Sequence, residues 1–195
     1  GKYKKFPIMG TTLMTVGILL MVTLTRETPF WQLAIFSILV GAGLGLSMQT
    51  IVIALQNSVD FKDMGVATSS NTFFRSLGSV FGTALFGSIL TNRVAHYLQS
   101  GFTDLAATNP DAVSGFDPEK LQQLSSNTSV LKELPVVVQN TALDAFVNSF
   151  HVVFLAAAPV TALGIILALM LREAPLRTNK DYAAAREEAA GEALG

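Results

Sequence analysis

Few side chains in this sequence can do chemistry, and the most telling of them stand inside long apolar runs. Arg75 is the only charged residue between about Ala67 and Asn92. Asn71 lies one helical turn before it, and Gln49 and Gln56 lie seven residues apart in the preceding run. A guanidinium donates hydrogen bonds to anions and carbonyls, and a primary amide both donates and accepts. These are groups that bind and orient. Cys is absent, which excludes a disulfide framework, a thiol nucleophile and a Cys zinc site. No cluster of metal ligands, no phosphate loop and no convergent Ser/His/Asp set is legible. The expectation is a protein that is not an enzyme and holds no metal and no cofactor.

The elements that position these residues follow from hydropathy. Half of the 195 residues are hydrophobic and 14% are charged, against about 25% charged in a soluble domain. The net charge of -1 argues against a nucleic-acid partner. Four runs are long enough to cross a bilayer, which takes about 20 apolar residues. They span about Pro7–Thr25, Trp31–Asn57, Ala67–Asn92 and Phe150–Leu171. The fold class read from them is an all-α membrane protein with four transmembrane helices. A first run with no small-residue cleavage site, followed by three more, is not a signal peptide. A chain that begins at Gly1 reads as a piece of a longer protein, or as a trimmed one.

Lys and Arg set the expected orientation. Eight flank the spans on the side of the N-terminus, and Arg26, Arg93, Lys120 and Lys132 lie on the other side. Both ends are therefore placed in the cytoplasm. Residues 93–149 form an extracytoplasmic loop, with turn signals at Asn109-Pro110-Asp111 and Asp117-Pro118. Val138, Leu143, Phe146, Val147 and Phe150 are spaced for an amphipathic helix near 136–149, lying at the membrane surface. Pro175 stops the last helix, and residues 172–195 form a cytoplasmic tail with helical character over Ala183–Glu188.

Two helix faces are built for packing. Gly41 and Gly45 are four apart, as are Gly78 and Gly82, the spacing that lets helix backbones approach. Gln49 and Gln56 extend the first stripe, so that face should meet protein or water rather than lipid. Arg75 precedes Gly78 by three residues and shares its face. It lies about eight residues, roughly 12 Å, into its span. There a guanidinium costs a few kcal/mol unless paired or hydrated. Two readings stay open: an arginine that lines or gates a cavity, and one that snorkels or locks onto a neighbouring helix. No Asp or Glu lies within the four spans, so a proton carrier would lie elsewhere in a longer chain. His96 and His151 read as interfacial. Pro159 and Gly164 predict a bend in the last span.

The basic entry Gly1-Lys2-Tyr3-Lys4-Lys5-Phe6-Pro7-Ile8-Met9-Gly10 resembles a cytoplasmic loop and helix start of the major facilitator transporters. Val40-Gly41-Ala42-Gly43-Leu44-Gly45-Leu46-Ser47-Met48-Gln49 strengthens the likeness, as do Gln56-Asn57-Ser58-Val59 and Gly65-Val66-Ala67-Thr68-Ser69-Ser70. The most specific stretch is Phe73-Phe74-Arg75-Ser76-Leu77-Gly78-Ser79-Val80-Phe81-Gly82-Thr83-Ala84. Leu171-Arg172-Glu173-Ala174-Pro175-Leu176-Arg177 resembles the exit of a final helix. Together they are similar to the C-terminal end of the fourteen-span drug:proton antiporters typified by EmrB and QacA. The resemblance implies part of the C-terminal half of a major facilitator fold in the cytoplasmic (inner) membrane. It also implies efflux of drugs or other small molecules by alternating access, with the proton gradient as energy source. The partners implied are the bilayer, a small-molecule substrate and the missing N-terminal part of the same transporter. Gln49, Gln56, Asn71 and Arg75 would lie nearest the substrate pathway. A free-standing four-span interaction protein, or an exporter of a lipid, siderophore or metabolite, is the alternative.

Overall fold

A computed structural model describes residues 3–110 and 135–171. The turn signals from Asp111 to Pro118, the stop at Pro175 and the tail 172–195 lie outside the described residues. Within them, all regular structure is helical. Helix α1 spans Lys5–Met21, α2 spans Phe30–Ser58, α3 spans Met64–Thr108 and α4 spans Val136–Met170. A single 3-10 turn, Phe61–Asp63, joins α2 to α3. Three of the helices, α2, α3 and α4, are long and apolar enough to cross a membrane, and α1 is a shorter apolar helix of 17 residues.

Each boundary has a local cause. Pro7 sits in the first turn of α1, where its missing N–H leaves no bond unmade. Pro29 and Pro135 stand in extended conformation immediately before α2 and α4. Between α1 and α2, the Thr25 N–H donates to Thr28 Oγ1 at 2.7 Å, and the Thr28 N–H donates to the Thr25 carbonyl at 3.1 Å. That turn is fastened to α4 by Arg26 Nη1 on Asp144 Oδ2 at 3.3 Å and by the His151 ring against the Leu24 carbonyl. Helix α4 runs unbroken through Pro159.

Packing is centred on α1, which lies against α2 and α4, while α4 also packs on α3. The α1–α2 seam is close. Pro7, Gly10, Thr11, Thr15 and Gly17 of α1 are buried, with Phe36, Gly43, Ser47, Thr50 and Ala54 of α2. The buried hydroxyls need no partner on the facing helix. Thr11 donates to the Pro7 carbonyl, Thr15 to that of Thr11, Ser47 to that of Gly43 and Thr50 to that of Leu46, at 2.7 to 2.9 Å. Each polar group is thus satisfied within its own helix, as an apolar surrounding requires.

The sequence reading ends the third span at Asn92 and lays 136–149 on the membrane surface. Instead, α3 continues sixteen residues past Asn92 to Thr108. Residues 136–149 are the first turns of α4, continuous with its last apolar run. The reason is a shared seam. Val94, Leu98, Phe102 and Leu105 of α3 recur at helical spacing and are buried against Val138, Ala142 and Ala145 of α4. Large side chains on one helix meet small ones on the other. Of the residues spaced for a membrane-surface face, Val138 is buried in this seam, Leu143 and Phe146 pack at its edge, and Phe150 is exposed. The pair forms a stalk of about 24 Å beyond Asn92, at 1.5 Å per residue.

Candidate functional site

The four candidate pathway residues are distributed over α2 and the first part of α3. On α2, the buried positions Gly43, Ser47, Thr50 and Ala54 face α1. Gly41, Gly45, Gln49 and Gln56 lie on the far side of the same helix, about 180° round at 100° per residue. Gln49 is exposed and Gln56 half-buried. Gln56 Nε2 donates to Thr68 Oγ1 of α3 at 3.3 Å, tying the two helices at the corner made by the 3-10 turn.

On α3, Asn71 and Arg75 are one turn apart on the row that continues to Gly78 and Gly82. Asn71 is half-buried, Arg75 is exposed, and every residue from Thr72 to Phe81 is exposed. Among the described residues, no hydrogen bond or ion pair engages Gln49, Asn71 or Arg75. Of the four candidates, then, the structure couples Gln56 to α3 and sets Asn71 and Arg75 on one row. Gln49 stands apart on α2. What this arrangement can do is offer a cation and an amide on an open face of an apolar helix. Such a face can take an anionic or hydrogen-bonding group without moving a backbone.

The glycines divide differently from the reading of their spacing. A methyl group added at Gly41, Gly45, Gly78 or Gly82 would meet nothing within 4 Å, so among the described residues these are open faces and not seams. The close approach occurs at glycines that spacing alone did not single out. A Cβ at Gly43 would lie 2.5 Å from the Gly10 carbonyl oxygen and 2.6 Å from the Met14 nitrogen. One at Gly10 would strike the Ser47 hydroxyl, and one at Gly17 would lie 2.7 Å from Val40 Cγ2. Gly43 stands between Gly41 and Gly45, so two glycine stripes overlap in the sequence. Its four-residue offset to Ser47, a small residue, repeats the spacing of Gly41 and Gly45, so spacing does not separate the two stripes.

The histidines occupy the level at which the spans meet the stalk. His151 is anchored on the Leu24 carbonyl. His96 is exposed, its ring 5.5 Å from that of Tyr97. Among the described residues no group of His, Asp and Glu is arranged to hold a metal ion.

No family model matches the chain, and no solved structure matches it. Curated proteins do. The chain is 40% identical over 183 residues, 94% of its length, to an uncharacterised MFS-type transporter found in two strains of Mycobacterium tuberculosis. That alignment covers 25% of the transporter. It is 27% identical over 201 residues to the multidrug transporter protein MdtP of Bacillus subtilis, covering 96% of this chain and 37% of that protein. It is also 27% identical over 207 residues to a tetracycline resistance determinant of Streptomyces rimosus, covering 98% of this chain and 59% of that protein. The chain thus spans about a quarter of the length of the first of these relatives. Its relatives are MFS-type transporters, and its apolar helices are those of a multi-pass membrane protein.

Proposed function

We propose that this chain is the C-terminal part of a secondary active efflux transporter of the major facilitator superfamily. It exports drugs or other small molecules by alternating access, with protons as the coupling ion. The observation that carries the reading is the similarity of nearly the whole chain to a quarter of an MFS-type transporter, joined by relatives named for multidrug transport and tetracycline resistance. The membership in the fourteen-span antiporter group rests on the Phe73–Ala84 stretch and its neighbours. Both termini face the cytoplasm of a cytoplasmic-membrane protein, on the excess of Lys and Arg flanking the spans at that side.

In this reading the open faces acquire a use. Gly41 and Gly45 on α2, and Gly78 and Gly82 on α3, receive helices of the remaining transporter at close range. Arg75, Asn71, Gln49 and Gln56 border the substrate pathway, since a guanidinium on an otherwise apolar helix is tolerable only beside water, a partner group or a ligand. The proton carrier lies in the remainder of the protein, because the spans here hold no carboxylate.

Two measurements test this. The native membrane product carrying this sequence is expected to exceed twice 20.8 kDa; a product near that mass overturns the reading. In the intact protein, Arg75→Ala is expected to reduce dye or drug export while membrane abundance holds. Export and abundance both at the wild-type level would remove Arg75 from the pathway.

A further inference from the structure

At the level where the stalk meets the spans, α3 and α4 part to form a groove of about 400 Å³, a volume within the range of small-molecule sites. Its two ends differ in chemistry. Toward the stalk it is lined by Asn92, Arg93 and His96; toward the spans it is lined by Ser88, Ile89, Val152 and Ala156. The Asn92 amide nitrogen is spent on α3 itself, donating to the Ser88 carbonyl at 2.9 Å. Arg93 and His96 are exposed, and among the described residues neither has a hydrogen bond or an ion pair. Among the described residues no carboxylate lines the groove, and Asp144 on the facing helix is bonded to Arg26. The sequence places this level at a membrane boundary. Apolar residues dominate α3 up to Leu90, and α4 carries no charge from Phe150 to Leu171.

A groove that is cationic at one end, mostly apolar at the other and, among the described residues, without its own counter-charge is complementary to one kind of molecule. We propose that it binds an anionic phospholipid of the surrounding bilayer. The headgroup phosphate accepts hydrogen bonds from the Arg93 guanidinium and the His96 ring. The first methylenes of an acyl chain lie along Ile89, Val152 and Ala156. The site is separate from the pathway residues and requires only that α3 and α4 cross the membrane, so it can fail while the transport reading stands.

The test uses the intact membrane protein, purified in neutral detergent, stripped of lipid and incubated with phosphatidylglycerol. Native mass spectrometry reads bound lipid. Arg93→Gln is expected to weaken retention of the first phosphatidylglycerol about tenfold, the low end for a hydrogen bond to a charged group because Arg93 is exposed. Arg93→Lys restores most of it. Ala156→Leu, which fills the apolar end, weakens it with Arg93 intact. Arg26→Gln, a cation outside the groove, leaves it unchanged. Wild-type protein is expected to prefer phosphatidylglycerol to phosphatidylcholine and to keep it in the presence of inorganic phosphate. Displacement by phosphate alone would show an anion site that reads no acyl chain, and would overturn the lipid assignment. Equal retention by wild type and Arg93→Gln, or equal retention of phosphatidylcholine, would overturn the site. If Arg93→Gln does not elute as folded protein, His96→Gln gives the same reading from the second donor.

Discussion

The contact between α1 and α2 yields the sharpest energetic prediction. A Cβ added at Gly43 would stand 2.5 Å from the Gly10 carbonyl oxygen and 2.6 Å from the Met14 nitrogen. Both are backbone atoms of α1, so no side chain can swing aside. Ordinary contact begins near 3.4 Å, and the helices must therefore separate by about 0.9 Å to admit one methyl group. That shift loosens the buried pairs along the whole seam, from Pro7 to Gly17. Overpacking of a tight contact costs about 1–3 kcal/mol. The better helix propensity of Ala returns at most about 1 kcal/mol. Because both obstructing atoms are backbone, the upper part of the overpacking range applies, about 2–3 kcal/mol, and the net expectation for Gly43→Ala is a loss of about 1–2 kcal/mol. Gly164→Ala supplies the control on α4. Its added Cβ would lie 3.6 Å and 4.0 Å from Thr11 side-chain atoms, an ordinary contact, so stability should hold or rise slightly. Denaturant titration of the intact protein in mild detergent, read by the fluorescence of Trp31 or by cross-linking between α1 and α2, measures both. Wild-type stability in Gly43→Ala, or an equal loss in Gly164→Ala, would refute the assignment of the seam.

Other predictions follow from the stalk and its fastenings. Leu98 is 2% exposed at the centre of the α3–α4 seam, so Leu98→Ala should cost about 2–5 kcal/mol and raise amide exchange over 94–108 and 136–149. Asp144→Asn should cost less than about 1 kcal/mol, and less still in high salt, because the Arg26–Asp144 pair has side chains 34% and 56% exposed and water screens it. Ser149 is fully buried but donates only to the Ala145 carbonyl of its own helix, at 2.6 Å. Ser149→Ala removes the donor and leaves that carbonyl its backbone partner, so the change in unfolding free energy should stay within about 1 kcal/mol.

Much of this fold could be read from hydropathy, since charge-free runs of bilayer length have few other uses. The positions of α1, α2 and the last part of α4 emerged that way. The extension of α3 did not, although its signal was present: Val94, Leu98, Phe102 and Leu105 keep helical spacing after the mean hydropathy has fallen. A run-length criterion stops at Asn92 because polar residues intervene, while an amphipathic helix needs only one apolar face. Periodicity marks a helix at 136–149, but its buried row is Val138, Ala142, Ala145 and Ser149, small residues that a count of large apolar side chains passes over in favour of Leu143, Phe146, Val147 and Phe150. The glycines show the same limit. On an apolar helix both sides are hydrophobic, so the stripes through Gly41–Gly45 and Gly43–Ser47 are equivalent in sequence, and only the placement of α1 decides between them. The polar candidates Arg75, Asn71, Gln49 and Gln56 stood out by type, but the Gln56–Thr68 bond depends on the α2–α3 corner and could not be read in advance. Arg93 was counted only as a charge outside the spans. Its groove needs two helices to exist.

The continuity of α3 has a mechanical consequence. It is one rod of 45 residues, about 67 Å long at 1.5 Å per residue, whose far third is gripped by α4 through an apolar seam. A rod that crosses a boundary without a joint cannot tilt on one side alone. A change of about 10° in its inclination, pivoting near Asn92, would carry the Met64 end through about 7 Å and the Thr108 end through about 4 Å in the opposite direction, on a rise of 1.5 Å per residue. The stalk is thereby a lever. Whatever restrains its tip also restrains the helix that carries Arg75.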